Sequence, residues 1–261
     1  MLQTFMIKVE VKEDSKISRY LDLTKFLDFI QFNRLYFRQV DKYDDVLEGC
    51  FPRQIYELGK CIMLIGADGV SRNKEIIKQT KNRRKSSYVS CWTLSEPENM
   101  GMWNVYSGRN GLAIQTTVSI LRRTLENAPR IHDDETHKLI NLANLSVSGI
   151  HYIDHNAANI ASLKLELLNN PMILKNIGYS YENEVRFLYD MRPNCTLHQR
   201  LGDGFFIKMD VKSVIERILI SPTADDWFFD LIKGVLSKYD LDDRIVWSNL
   251  RTPPYNETDF Q

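Results

Sequence analysis

The segment YSYENEVRFLYD, residues 179–190, sets two carboxylates and a guanidinium two positions apart from one another. Read as a β-strand, it sends Tyr181, Asn183, Val185 and Phe187 to one face and Glu182, Glu184, Arg186 and Leu188 to the other, because successive strand side chains leave on opposite sides. Two acids at this spacing repel unless a cation, a proton or a substrate lies between them. Arg186 supplies one answer, an exposed ionic ladder. It also supplies another, since it would keep Glu184 ionised and oriented. Cleavage of a glycosidic bond through an oxocarbenium-like transition state needs such a fixed carboxylate, often with a second acid for proton transfer.

Other residues could join this chemistry. In LYFR, Tyr36 and Arg38 share a strand face opposite Leu35 and Phe37, and a planar guanidinium among rings suits capture of a phosphate or carboxylate. The alternative is an Arg38 paired with Asp44, Asp45 or Glu48 just downstream. Those three acids suit capping of a short helix, or a metal if Glu182 and Glu184 stand nearby. In YVSCWT, Ser90 and Trp92 share one face and offer a hydroxyl and an indole edge to a flat ring. Cys91 lies on the other face, as a nucleophile or as a small buried apolar group. Trp103 and Tyr106 are i, i+3 neighbours if their segment is helical. The stretch 72–85 carries seven basic residues, Arg72, Lys74, Lys78, Lys81, Arg83, Arg84 and Lys85, against the single acid Glu75. It reads as a solvated face or a phosphate-contacting one, without aromatic residues for base stacking. His151 and His155 are i, i+4, but nothing beside them completes a zinc-ligand motif.

The elements that must position these groups can be read from periodicity. Residues 17–32 place apolar side chains at helical spacing, 35–40 read as a strand, 52–66 as a helix and 72–85 as a basic helix. Strands follow at 88–94 and 111–117. Residues 117–175 read as a mostly helical insertion with one strand, SVSGIHYI. GFFIKMD, the helix VKSVIERI running into ILISP, an amphipathic helix at 225–239 and RIVWSNL complete the chain. Strands of antiparallel character mixed with helices, without regular βαβ alternation, predict an α+β fold in a single domain over 1–261. There is no G-x-G-x-x-G and no Walker loop.

The bulk composition is that of a soluble protein: 43% hydrophobic, 26% charged and a net charge of zero over 261 residues, which removes a global polyanion-binding field but leaves local patches open. No apolar run approaches the roughly 20 residues of a membrane span. The start, MLQTFMIKVEVKEDSK, lacks the organisation of a secretory signal, and four scattered cysteines suit a reducing compartment, so the expectation is a cytoplasmic protein without a membrane partner.

The succession LYFR, DDVLEG, SCW, MWNVYSGRNGLAI, YENEVRFL and a late ILISP, over about residues 17–250, resembles an uncharacterised family of bacterial domains of unknown function. A more distant resemblance supplies chemistry. The order arginine, serine-bearing strand, Glu-x-Glu is similar to the R-S-E class of ADP-ribosyltransferases. That resemblance implies that Arg38 holds the phosphates of NAD, that Ser90 organises the nicotinamide-ribose pocket, that Glu184 is the catalytic glutamate and that Glu182 engages the acceptor. Tyr36, Trp92, Trp103 and Tyr106 are then the rings and polar edges about NAD, which is a substrate here, and no metal is called for. The class's Ser-Thr-Ser triplet is replaced by Ser90-Cys91-Trp92. The implied activity is transfer of ADP-ribose to an unknown macromolecular acceptor, protein or nucleic acid. The rival expectations are a non-enzymatic binding or regulatory module and a metal-dependent nuclease using Asp44, Asp45, Glu48 and Glu184.

Overall fold

The computed structural model describes residues 7–61, 69–128, 131–132, 139–140, 145–157, 170–190 and 203–252; of residues 59–61, 69–73, 131–132 and 139–140 it describes the backbone. Its strands are β1 (Ile7–Lys8), β2 (Lys16–Leu21), β3 (Arg34–Gln39), β4 (Ser87–Leu94), β5 (Leu112–Thr117), β6 (Ile131–His132), β7 (Leu139–Ile140), β8 (Leu145–Gly149), β9 (His151–Ile153), β10 (Leu174–Asn176), β11 (Glu184–Asp190), β12 (Gly204–Lys208), β13 (Arg217–Ile220) and β14 (Ile245–Trp247). Its longer helices are α1 (Leu23–Phe32), α2 (Arg53–Cys61), α3 (Gly69–Ser86), α4 (Val118–Glu126) and α5 (Asp226–Ser237). The fold is α+β, with mixed, mostly antiparallel sheets. The side chains of Arg72, His137, Cys195 and His198 lie outside the described residues.

Asp22 divides the stretch 17–32, whose helical spacing predicts one continuous helix. Its carboxylate accepts a hydrogen bond from the amide of Lys25 at 2.8 Å, which caps α1 and leaves β2 before it as an extended strand. Ile17, Tyr20 and Leu21 of β2 are buried, so apolar residues fall on both faces and the strand period is hidden. Over 117–175 the described residues hold the single α-helix α4, a 3-10 turn at Pro171–Ile173 and the strands β6 to β10, where the sequence predicts mostly helix with one strand; residues 158–169 lie outside the description.

The chain groups into two compact units. The first comprises residues 1–11, 36–91 and 130–207. In it, β3 pairs antiparallel with β4 in the register Arg38↔Val89, β12 lies beside β3, and β11 lies between β4 and β8, with Val185 opposite Gly149. Antiparallel β1 and parallel β10 flank β9. The chain after β1 crosses Gly149 so closely that an added Cβ would stand 2.0 Å from the carbonyl oxygen of Val9, which demands glycine there. The second unit comprises 12–35, 92–129 and 208–261. There β2 pairs antiparallel with the end of β4 and along its whole length with β5, β5 pairs antiparallel with β13, and β13 pairs parallel with β14. Its core includes Phe26, Ile30, Leu112, Ile114, Leu121, Ile218, Phe228 and Ile232.

Candidate functional site

Strand β11 begins only at Glu184. Asn176 accepts from the amide of Gly178 and opens a 3-10 turn over Ile177–Glu182, and Asn183, in the left-handed region at φ 45°, ends it. Asparagine side chains favour such local turns and tolerate that conformation, and here they override the strand alternation that the sequence predicts for residues 179–183. Glu182 therefore projects from a turn while Glu184 and Arg186 project from one face of the strand. That face is inside the first unit. Of the two arrangements open to these residues, an exposed ladder and an enclosed, oriented carboxylate, the structure has the enclosed one, in a buried cluster.

Arg186, fully buried, organises it. Its Nε donates to Glu184 Oε1 at 2.6 Å and its Nη2 to Glu184 Oε2 at 3.2 Å, while Nη1 donates to the carbonyl of Met172 at 2.5 Å. Nη2 also ion-pairs with Glu48 Oε1 at 2.6 Å. Lys175, from β10, donates to Glu184 Oε2 at 2.9 Å and to Glu182 Oε2, and stands 5.0 Å above the ring of Tyr179. The hydroxyl oxygen of Tyr152 accepts from the amide of Glu184 at 2.8 Å. Three carboxylates thus share two cations away from water, and Glu48 Oε2 has no hydrogen-bond partner among the described residues.

Burial and charge pull these groups in different directions. Desolvation raises the Glu184 carboxyl, but the charges of Arg186 and Lys175 and the hydrogen bonds to it outweigh that and hold it well below the usual carboxylate range. Glu48 goes the other way: desolvation, reinforced by the Glu184 charge, exceeds the pull of Arg186 and raises its carboxyl. Lys175 is desolvated too, yet Glu184 and Glu48 hold it protonated well above its ordinary value. Burial and the neighbouring Glu184 charge push the Cys91 thiol up to about 12, which keeps it protonated at neutral pH.

Side-chain alternation sorts the remaining candidates of the first unit. Residues opposite each other in an antiparallel pair share a face, so Arg38, Val89 and Cys91 lie on one side of the β3–β4 pair. Val89, Cys91 and Leu188 of β11 meet in one apolar cluster on that side. Arg38 is exposed, donates to the carbonyl of Lys42 and lies 5.0 Å over the ring of Tyr43, whose hydroxyl is 3.3 Å from Cys91 Sγ. Arg38 and Cys91 are therefore linked through Tyr43. Ser90, buried, falls on the opposite side with Phe37 and Tyr88, where Phe37, Tyr88, Tyr189 and Phe205 form an aromatic layer. The structure does not bring Ser90 together with Arg38 and Glu184. Tyr36 packs 4.9 Å from Phe206.

Trp92, Trp103 and Tyr106 belong to the second unit. Trp92 is buried, with the guanidinium of Arg19 at 6.0 Å from its ring centre. Trp103 is buried edge-on against Tyr20 at 4.8 Å and donates to Glu98 Oε2 at 3.3 Å, so packing covers both rings. Tyr106 is 39% exposed. The acids of DDVLEG separate: Asp45 accepts from the amide of Leu47 in a turn and Asp44 is exposed, while Glu48 enters the cluster. Among the described residues no group of histidine, cysteine, aspartate and glutamate side chains is arranged to hold a metal ion.

Lys175 is the member that sequence reasoning missed. It sits alone in the short strand LKN, with no motif around it, and only the pairing of β10 with β9 carries it beside Glu184. Glu48, Cys91 and the YENEVR residues come from three of the blocks that stand out in the sequence, and these blocks converge here. No protein-family model, curated protein or solved structure matches the chain.

Proposed function

We propose that the buried cluster of the first unit is the reaction centre of an ADP-ribosyltransferase-like enzyme that breaks the nicotinamide–ribose bond of NAD and passes ADP-ribose to a protein, nucleic-acid or water acceptor. The observation that carries this reading is the split between Glu184, held ionised, and Glu48, pushed towards its protonated form, across one guanidinium. A pair of carboxyls driven apart in this way is how proteins assign a fixed anion and a proton-bearing acid. The anion, Glu184, would stabilise the cationic ribose as nicotinamide departs with the bonding electron pair. Arg38, on the same face and open to solvent, would take the phosphates. Glu182 would act on the acceptor side, held by Lys175. Ser90 has no part in this centre.

Energetics support a functional account. Desolvating an ion costs several kcal/mol, and apolar side chains of similar volume would fill the same space at less cost. Five ionisable side chains concentrated in one core are thus a candidate site on physical grounds.

A second reading, a non-enzymatic binding or regulatory module with a purely architectural network, is favoured by one observation. Glu184 is 2% exposed and both its oxygens are engaged. Nicotinamide release from NAD, measured with protein and nucleic-acid acceptors supplied, separates the two. Glu184→Gln is expected to abolish turnover. Because that change also touches the core, Arg38→Ala is the companion: this exposed residue leaves the thermal midpoint unchanged, and loss of one charge-assisted contact of about 1.5–3 kcal/mol raises KM for NAD roughly tenfold or more. Wild-type protein that neither binds NAD nor releases nicotinamide overturns the enzymatic reading and leaves the module.

A further inference from the structure

Helix α3 of the first unit carries a row of cations without an ion-pair partner among the described residues. Lys74, Lys78, Lys81 and Lys85 follow one another at spacings of four, three and four residues, and all four are exposed. At 3.6 residues per turn these positions fall within about 60° of arc and span about 16 Å along the axis. Ile76, half-buried, Thr80, buried, and Arg83, ion-paired with Asp190 at 2.9 Å, occupy the opposite side of the helix and face inward. The lysine row is therefore the solvent side of a helix anchored by its other face. Among the described residues none of the four lysines has an ion pair or a hydrogen bond from its side chain. Glu75, the acid of the stretch, stands off the row and accepts from Gln79 at 3.1 Å.

A merely solvated helix face is usually stabilised by opposite charges at i, i+4. Here the i, i+4 and i, i+3 neighbours along the row are all positive, which costs a few tenths of a kcal/mol for each pair. Lys81 and Lys85 near the end of α3 are favoured by the helix dipole, but that effect does not extend to Lys74 and Lys78. The row therefore costs the helix a little stability and presents a line of positive charge to solvent.

We infer that this face binds the phosphate backbone of a nucleic-acid duplex. A duplex presents one negative charge per about 1.7 Å of axis, so about nine or ten phosphates lie within reach of a row this long. A membrane surface would need a broad apolar face beside the charges, and the row is flanked by Gln79, Asn82 and the single half-exposed Ile77. Single-strand binding relies on stacking rings, and the described side chains of α3 include none. Lysine contacts to phosphate carry no sequence information, so recognition is of backbone rather than of bases. This surface stands independently of whether the buried cluster consumes NAD.

The test uses the full chain and a fluorescein-labelled DNA duplex of mixed sequence, followed by anisotropy between 50 and 200 mM salt. Four phosphate contacts at about 0.9 each predict a slope of log K against log salt near −3.6, hence a loss of affinity of about 150-fold across that range. Changing Lys74, Lys78, Lys81 and Lys85 together to Gln is expected to remove binding at 50 mM with an unchanged thermal midpoint, and each single Lys→Gln to reduce the slope by about 1. The inference is overturned if the duplex is not bound at 50 mM, or if the fourfold variant binds it like the wild type. Binding to phosphatidylserine vesicles without binding to the duplex also overturns it.

Discussion

Glu48 and Glu184 contact the same guanidinium but have their carboxyl pKa values shifted in opposite directions, so they affect stability with opposite signs. Glu184 has a folded value below its ordinary 4.5, and its contribution is present above that pH and lost as pH falls through the folded value. Glu48 has a folded value above 4.5, and its contribution is present below 4.5 and lost as pH rises through the folded value. Thermal midpoints of Glu48→Gln and Glu184→Gln against pH check this. Relative to wild type, Glu48→Gln is expected to become less harmful as pH rises from 4.5 through the raised folded value. Glu184→Gln is most harmful at neutral pH, at about 3 kcal/mol for breaking a buried pair, with the deficit narrowing in acid. Parallel profiles for the two variants would contradict the split on which the proposed chemistry depends.

At the level of elements, two substitutions isolate local effects. Burial raises the Asp22 carboxyl, but hydrogen bonds from Lys25 and Thr24 and the Lys25 charge outweigh it and lower its pKa from 3.8 to about 2. Asp22→Ala removes the cap of α1 and is expected to cost about 1 kcal/mol at pH 7 in urea unfolding. The penalty shrinks as pH falls from 3.8 towards 2, while Asp22→Asn, which keeps an acceptor, stays near wild type. In α5, Gly234 is exposed in mid-helix and an added Cβ meets nothing within 4 Å. Gly234→Ala should therefore stabilise the protein by about 0.5–1 kcal/mol, because the unfolded chain loses freedom and the helix gains a better former. An unchanged or lower denaturation midpoint would show that the position carries a constraint from outside the helix.

At the scale of the whole molecule, a net charge of zero conceals a sharp internal segregation: three acids and two cations are buried together in the first unit while four exposed lysines line α3 without an ion pair among the described residues. No described helix is long and apolar enough to cross a membrane. Much of this was legible in the residues themselves. The α+β class, the strands around LYFR, YVSCWT and GLAIQTT, and the basic helix follow from periodicity and turn chemistry, which act over a few neighbours. The lysine row was equally present as a spacing of four, three and four. Burial decided the rest, because the environment of a side chain depends on elements far away in the chain. Glu184 and Arg186 read equally as a wet face or an enclosed site until β4, β8 and β10 surrounded them, Lys175 had no signature until β10 paired with β9, and Ser90 could be joined to Arg38 in sequence order although strand pairing sends their side chains to opposite sides. Residue order determined which groups were available for chemistry. Strand register and burial, the products of long-range pairing, decided which of them meet and in what state of charge.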